Sequence, residues 1–254
     1  MTNEQKNIYL HLKQTAVRTA EALGKPSFYT EHADELKISA DFLKTDALMK
    51  KCLSYLDEAA MYAGHGISHA KAVASDAGAI IQIEGRLPNA PAESMTDLIL
   101  CEQIAAIFHD IKRKEKDHTI AGSAEAARIL DDFMIQDRYK RYIADAIRNH
   151  EAFKEVLDSE NAIAKLISDS LYDADKFRWG PDNFTTTLWL LIDFFDTPVE
   201  NLHRNFLKNI NFIENIKSTF RTQTGRKYGP EIIDRGIKIG QAIFDKMSEI
   251  LHLP

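Results

Sequence analysis

The chain has 254 residues, of which 44% are hydrophobic and 28% are charged, and its formal net charge at pH 7 is −6. The composition is ordinary for a globular protein, and the length suits one large domain or two small ones. The negative charge argues against an overall field that gathers nucleic acid or an anionic membrane, so an anionic substrate would need a metal ion or a few lysines and arginines placed locally.

The N-terminal part of the chain shows helical spacing and almost no strand alternation. Its first segment, MTNEQKNIYLHLKQ, lacks the apolar core of a signal peptide, and the first helix is predicted to stop at the Gly-Lys-Pro sequence of 24–26. A long helical region with apolar residues from Leu36 to Leu56 follows, and a further helix is predicted between 64–66 and Gly85. No apolar run approaches the length of a membrane span, so we expect a cytoplasmic protein with no membrane partner.

The central part of the chain follows an irregular connection at 87–91. A helix is predicted to start at Thr96-Asp97 and to lead into His109-Asp110, after which the polar segment KRKEKD forms a charged loop. The next helices are predicted at about 119–134, 138–150 and 160–177.

The C-terminal part is predicted to be helical as well. The Trp-Gly-Pro sequence of 179–181 breaks the pattern, and Asp182 or Asn183 is expected to cap a helix that holds 188–195. Pro198 falls in the first turn of the next helix, and the Tyr-Gly-Pro sequence of 228–230 is expected to separate that helix from the last one. The large aromatic side chains of this part are expected to pack in the core or at a helix end, and they are Trp179, Trp189, Phe194 and Phe195.

These patterns predict an all-α fold, a single-domain helical bundle over 1–254. The helices of 1–59 and those after about 181 are expected to decorate a central set of five. Cys52 and Cys101 lie in apolar helical patterns and form no CxxC pair, so both are expected to be buried thiols, as suits a reducing compartment.

Six side chains with metal-binding chemistry lie at the ends of apolar helical stripes, where a buried core opens into a cleft. They are His69, His109, Asp110, His118, His150 and Asp175. Asp175 continues the stripe of its helix at steps of four and is preferred to Asp173, which falls off that stripe. One such histidine is more often a hydrogen-bonded core residue, and Lys176 and Arg178 could pair with Asp175 or with Asp173. Several such groups in one chain favour a shared cation, because burying unpaired carboxylates and imidazoles is costly.

The order of five short motifs resembles that of the HD superfamily of metal-dependent phosphohydrolases. The motifs are GHGISHA, IFHDIKR, DHTIAGSAEAARIL, AIRNHE and LYDADKF. The resemblance covers about 60–180 and implies an HD-type core over that range, with extra helices at 1–59 and 181–254. It also implies a metal ion held by four side chains, which are His69, His109, Asp110 and Asp175. His118 and His150 match a further pair that either binds a second ion or contacts the substrate phosphate, and His65 matches a position near the site.

Arg113 is a departure from part of the family. Some members carry an acidic residue three positions after the His-Asp pair, where it helps to activate water, whereas other members have a basic residue there. The identity of the general base is therefore left open. The Gly-Tyr-Pro element that follows His150-Glu151 in the cyclic-dinucleotide phosphodiesterase branch is missing, and that activity is not assigned.

The ligand set suits one or two divalent ions from among Mn, Fe, Ni, Co, Zn and Mg. Such an ion lowers the pKa of a bound water and withdraws charge from a phosphoryl group. The predicted catalytic residues are Asp110, which binds the ion and orients water, and His118 and His150, which hold the phosphate or protonate the leaving oxygen. Positive charge for a phosphate can come from the loop before His118, whose basic residues are Lys112, Arg113, Lys114 and Lys116.

The predicted activity is hydrolysis of a phosphate ester in a nucleotide or another small phosphorylated molecule. Two alternatives stay open: a di-iron oxygenase of the same superfamily, and a metal-stabilised regulatory or ligand-binding module that turns nothing over. A nucleic-acid partner is not expected, because the sequence has no basic stripe. Apolar helical faces serve cores and interfaces equally, so the sequence does not predict the oligomeric state.

Overall fold

The computed structural model of the protein describes residues 2–58 and 62–253. Over these ranges the regular structure is helical and contains no strand, which confirms the all-α prediction. The helices are α1 (Asn3–Leu23), α2 (Ser27–Glu31), α3 (Ala33–Thr45), α4 (Ala47–Leu53), α5 (Ile67–Glu84), α6 (Met95–Phe108), α7 (His118–Leu130), α8 (Asp137–Arg148), α9 (Ala162–Phe177), α10 (Leu188–Phe195), α11 (Val199–Glu214) and α12 (Gln223–Leu251). A π-helical segment, Asn183–Thr187, leads into α10, and a 3₁₀ turn, Asn215–Ser218, follows α11.

Helix α5 lies at the centre of the bundle and packs against α6, α3 and α9. Helix α6 is buried on nearly every side, as its apolar circumference predicts, and the hydroxyl of Ser94 caps its start by accepting from the amide of Asp97. Gly78 allows α3 to approach α5 closely, because a Cβ at this position would lie 2.2 Å from Ser39 Oγ. Helices α7, α8 and α9 pack in succession, and α8 and α9 also contact α6. This packing places the C-terminal ends of α6, α8 and α9 beside the N-terminal ends of α5 and α7.

The N-terminal predictions agree with the structure. Helix α1 ends at Leu23, and Gly24 follows it with a φ of 70°, a left-handed value that glycine adopts without steric cost. The long region after it divides into α3 and α4, because the carboxylate of Asp46 caps α4 by accepting from the amides of Leu48 and Met49. Both cysteines are buried free thiols, as predicted.

Two predictions of C-terminal helix boundaries are wrong. Neither Asp182 nor Asn183 caps α10, because a π-helical segment runs directly into that helix. The sequence 228–230 does not separate two helices, since α12 continues through Pro230 and the break falls at 215–222. Packing maintains α12 despite the proline: Tyr228 is buried there and bonds to Glu31 of α2, and this outweighs the one lost backbone hydrogen bond.

The aromatic residues of α10 do not all pack inside. Trp189 is buried as predicted, but the side chains of Phe194 and Phe195 are each 57% exposed, so their assignment to the core is wrong. Helix α10 is apolar around most of its circumference, and only one side faces the bundle. Its C-terminal turn contributes to the rim of a cavity instead.

Within the described ranges, the longest apolar helical stretch is still too short or too polar to cross a lipid bilayer. The expected limits of a central domain, near 60 and 180, stay a prediction.

Candidate metal centre

Five chain segments deliver side chains to one end of the bundle. His69 lies in the first turn of α5, and His118 is the first residue of α7. His109 directly follows α6, His150 comes two residues after α8, and Asp175 lies in the last turn of α9. An apolar stripe stops at a helix end, so these polar groups reach a cavity while the rest of each helix packs in the core.

The first ligand group joins His69, His109, Asp110 and Asp175. The Nε2 atoms of the two histidines lie 3.2 Å apart. Asp110 Oδ2 lies 3.3 Å from His109 Nε2 and 3.8 Å from His69 Nε2. Asp175 Oδ1 lies 3.5 Å from His69 Nε2 and 3.7 Å from His109 Nε2. Bonds of about 2.1 Å to one ion place neighbouring ligand atoms about 3 Å apart. His69, His109 and Asp110 come closest to this arrangement, and Asp175 lies beside the two histidines.

The second ligand group joins Asp110, His118 and His150, whose candidate ligand atoms all lie within 4.8 Å of one another. Asp110 Oδ1 lies 3.6 Å from His150 Nε2 and 3.9 Å from His118 Nε2. The two oxygens of Asp110 therefore face different groups: Oδ2 faces the first group and Oδ1 faces the second. This carboxylate is the link between them.

A cation fits the chemistry of this site. Asp110 Oδ1 is buried and has no hydrogen-bond partner among the described residues, which is costly for a carboxylate oxygen unless a cation satisfies it. The donors are imidazole nitrogens and carboxylate oxygens, the combination that binds transition metals and zinc. The buried histidines and aspartates can therefore hold a metal ion.

Backbone carbonyls set the tautomers of two histidines. The Nδ1–H of His109 donates to the Ala106 carbonyl at 2.7 Å, and the Nδ1–H of His150 donates to the Ile147 carbonyl at 2.6 Å. When the ring is neutral, Nε2 is therefore the nitrogen left to bind an ion. This outer hydrogen bond is the one that orients metal-binding histidines in proteins.

The electrostatics of the first group also require positive charge. Burial opposes the ionisation of Asp110 and Asp175, but neighbouring histidine and lysine charges outweigh it and hold both pKa values well below the usual range. Burial likewise opposes the protonation of His109, but Asp110 and then Asp175 raise its pKa above the ordinary value. A proton on His109 thus supplies charge that a bound cation would supply instead.

Arg113 contacts the second group. Its Nη1 donates to His118 Nε2 at 2.6 Å, and its Nε lies 3.8 Å from Asp110 Oδ1. Burial, and next the Arg113 guanidinium, lower the pKa of His118 to about 4, while burial lowers the pKa of His150. Both rings are therefore neutral at pH 7. His65 lies beside the first group, with its Nε2 4.0 Å from Asp110 Oδ2.

The two aspartates at the end of α9 have different partners, and the preference for Asp175 over Asp173 agrees with their placement. Asp175 faces the histidines through Oδ1, while its Oδ2 pairs with the buried Lys176 ammonium. Asp173 points away and accepts from the amides of Arg221 at 2.9 Å and Thr222 at 2.7 Å. Lys176 therefore does not pair with Asp173, because that carboxylate holds the start of α12.

Arg178 does not pair with Asp173 either. Its guanidinium contacts the carboxylates of Asp76 and Asp182 and the hydroxyl of Tyr29. These buried contacts link α9 to α2 and α5 and fix the Arg178 side chain next to the ligand groups.

A cavity of about 490 Å³ opens over the two ligand groups. Arg113, Lys176 and Arg178 line this cavity, but the Arg178 guanidinium is bound by Asp76 and Asp182, so Arg113 and Lys176 supply the positive charge beside the histidines. Lys112 pairs with Glu115 instead, at 3.6 Å, and the side chains of Lys114 and Lys116 are exposed outside the cavity. Of the four basic residues proposed in that loop, Arg113 is therefore the one placed to meet a ligand.

The aromatic lining of the cavity was not predicted from the sequence. The cavity is lined by aromatic rings from the loop after α8, the end of α9, the end of α10 and α11, which are Phe153, Trp179, Phe195 and Phe212. An exposed aromatic residue in a loop or on a polar helix has no periodic pattern that marks it. Trp179 was expected to pack at a helix end, and its ring does contact Phe212, with 5.8 Å between centroids.

Comparison of the chain with protein-family models, with curated proteins and with solved structures gives no match.

Proposed function

We propose that the protein is a phosphohydrolase of the HD type that uses one divalent metal ion to cleave a small phosphate ester. The observation that carries the proposal is the position of the first ligand group under a cavity that is also lined by the cationic side chains of Arg113 and Lys176. When bound, the ion lowers the pKa of a water molecule and withdraws charge from the phosphoryl group.

The phosphate is proposed to lie between Arg113 and Lys176. Both line the cavity, and both already contact the ligand groups, through Asp110 and Asp175 respectively. A guanidinium suits a phosphate because it presents two parallel donors to two oxygens. An ammonium group adds charge without a fixed direction.

Proton transfer is assigned to His150, with His118 beside it. His150 Nδ1–H is committed to a backbone carbonyl, so neutral His150 offers an acceptor at Nε2, 3.6 Å from Asp110 Oδ1. The lowered pKa values keep both rings neutral at pH 7, so they are in the form that can accept a proton from water and not in the cationic form that protonates a leaving oxygen. His150, in the second ligand group, is therefore the proposed general base. Arg113, beside this group, occupies the position at which some HD proteins carry an acidic residue.

One ion is favoured over two because the Arg113 guanidinium is adjacent to the second ligand group. A second ion on His118 and His150 would meet this positive charge at short range. The contact therefore disfavours the di-iron oxygenase alternative, which needs both positions.

The test is release of inorganic phosphate from a panel of phosphate esters, with each candidate divalent ion added to metal-free protein. We expect activity in the wild type and its loss in His69→Ala and Asp110→Ala, with the helical circular dichroism spectrum unchanged. His11→Ala is the matched control, because His11 is an exposed histidine outside the site. Oxygen consumption with two irons per chain would support the oxygenase instead, and tight metal binding with no turnover would support the regulatory module.

A further inference from the structure

Aromatic side chains on the apolar side of the cavity stay largely exposed. Phe153 is 53% exposed and Phe212 is 50% exposed, although both line the cavity that holds the ligand groups. Large apolar side chains grouped in one concavity indicate a binding surface, because they bury little area until a ligand covers them.

Three of these rings form a continuous surface, which we call the aromatic wall: Phe153, Phe212 and Trp179. The ring centroids of Phe153 and Phe212 are 5.3 Å apart with their planes at 56°, and those of Phe212 and Trp179 are 5.8 Å apart with their planes at 46°. Trp179 follows the end of α9, four residues after Asp175 in the sequence. The wall is therefore attached to the same helix end that supplies a candidate metal ligand.

The backbone of Phe153 is strained. Its φ is 61°, a left-handed value that is uncommon for a bulky side chain and costs free energy relative to glycine. The loop that carries it is closed by the Asn149 side chain, which donates to the Leu157 carbonyl at 3.1 Å and accepts from the Leu157 amide at 3.0 Å. The fold thus maintains an unfavourable conformation that brings an aromatic ring to the cavity, a pattern typical of functional positions.

The cavity is lined by both charged and apolar side chains, which suit different parts of a ligand. Arg113, Lys176 and the aromatic wall line the same cavity, and the Lys176 ammonium lies 5.8 Å from the centre of the Trp179 ring. A volume of about 490 Å³ holds more than a phosphate group alone. The remaining space is bordered by rings, which pack well against flat or apolar surfaces.

We propose that the aromatic wall binds the alcohol part of the substrate, and that this part is an aryl or similarly flat, apolar group. The inference rests on the proposed function, since it assumes that the phosphate lies at the cationic end. It adds the substrate class: aryl phosphate esters are preferred to esters of small polar alcohols.

The experiment compares two phosphonates that are not hydrolysed, phenylphosphonate and methylphosphonate. Binding to the metal-loaded wild-type protein is measured by titration calorimetry. We expect the phenyl compound to bind at least about tenfold more tightly, since its ring covers apolar surface that the methyl group leaves in water. Phenyl phosphate and glycerol phosphate should differ in the same direction in kcat/KM.

The Phe153→Gly variant removes a ring of the aromatic wall without weakening the fold. Glycine relieves the left-handed strain, so the melting temperature should stay equal or rise, while the preference for the phenyl compound should fall to less than about threefold. Phe212→Ala should lower the preference as well. Phe194→Ala is the control, because Phe194 is 57% exposed yet does not line this cavity, and it should keep the full preference.

Equal affinity for the two phosphonates in the wild type would overturn this inference and leave the proposed function standing. An undiminished preference in both Phe153→Gly and Phe212→Ala would also overturn it. Absence of binding by either phosphonate, with no phosphate released from any ester, would overturn the proposed function and this inference together.

Discussion

Replacing Arg113 with alanine is expected to raise the number of divalent ions held per chain from one to two. The guanidinium Nη1 lies 2.6 Å from His118 Nε2. An ion bound to that nitrogen at about 2.1 Å would be no more than about 5 Å from the guanidinium. At an effective dielectric constant of about 20, a divalent ion and a unit charge at that distance repel by about 7 kcal/mol.

Solvent reduces this repulsion. The Arg113 side chain is 33% exposed, so it can turn toward water and its charge is partly screened. We take about 3 kcal/mol as the part that remains, which corresponds to about a hundredfold change in Kd for the second ion. Elemental analysis of dialysed protein gives the number of ions, and titration calorimetry gives the two affinities.

Two control variants test whether the second ion depends on the Arg113 charge and on the second ligand group. Lys114→Ala removes an exposed charge from the same loop and should leave one ion per chain. Adding His150→Ala to Arg113→Ala should remove the second ion again. Two ions in the wild-type protein, or one ion in Arg113→Ala at saturating metal, would refute the reasoning.

The other predictions concern stability, measured by denaturant unfolding of the metal-free protein. Gly225→Ala should destabilise the protein by about 3–5 kcal/mol, because the new Cβ would lie 2.0 Å from Asp173 Oδ2 and displace a buried, hydrogen-bonded carboxylate. Gly122→Ala, whose Cβ would have its nearest contact at 3.4 Å, should stabilise the protein by about 1 kcal/mol. Similar effects of the two substitutions would contradict the packing. The pKa of His118 falls from 6.5 to about 4 on folding, so the native state binds fewer protons in that window and stability is lost as pH falls from 6.5 to 4. In His118→Gln that loss should be smaller by about 3 kcal/mol, and an unchanged pH profile would show that the ring is not buried as a neutral group. Burial raises the pKa of Glu102, and neither of its carboxyl oxygens has a hydrogen-bond partner within 2–58 and 62–253. Glu102→Met should therefore stabilise the protein by about 1–3 kcal/mol, and more at pH 8 than at pH 5. A loss of stability at pH 8 would contradict this reasoning.

The helices of this protein are readable from local sequence signals. Gly24 stops α1 where its conformational freedom predicts, and Ser94 starts α6 as a capping residue can. Helical spacing also separated Asp175 from Asp173, because residues four apart share a face and Asp175 follows Leu171 at that step, whereas Asp173 is buried on another face against the start of α12. Such signals act within one turn or one face of a helix, so one chain segment contains all the information they need.

Pairings between distant segments depend on the packed structure. Nothing local in the sequence places Arg178 against Asp76, directs Asp173 to the amide of Thr222, or leaves Phe194 exposed on an apolar helix. Likewise, α12 continues through Pro230 because contacts from other helices outweigh a local penalty.

The sequence by itself therefore determined the helical class of the fold and the side chains with metal-binding chemistry. The tertiary structure decided that those side chains meet, which charges accompany them, and that an aromatic wall faces the same cavity. The physical reason is range: helix periodicity and capping act over a few residues, whereas a site depends on how whole helices pack against one another.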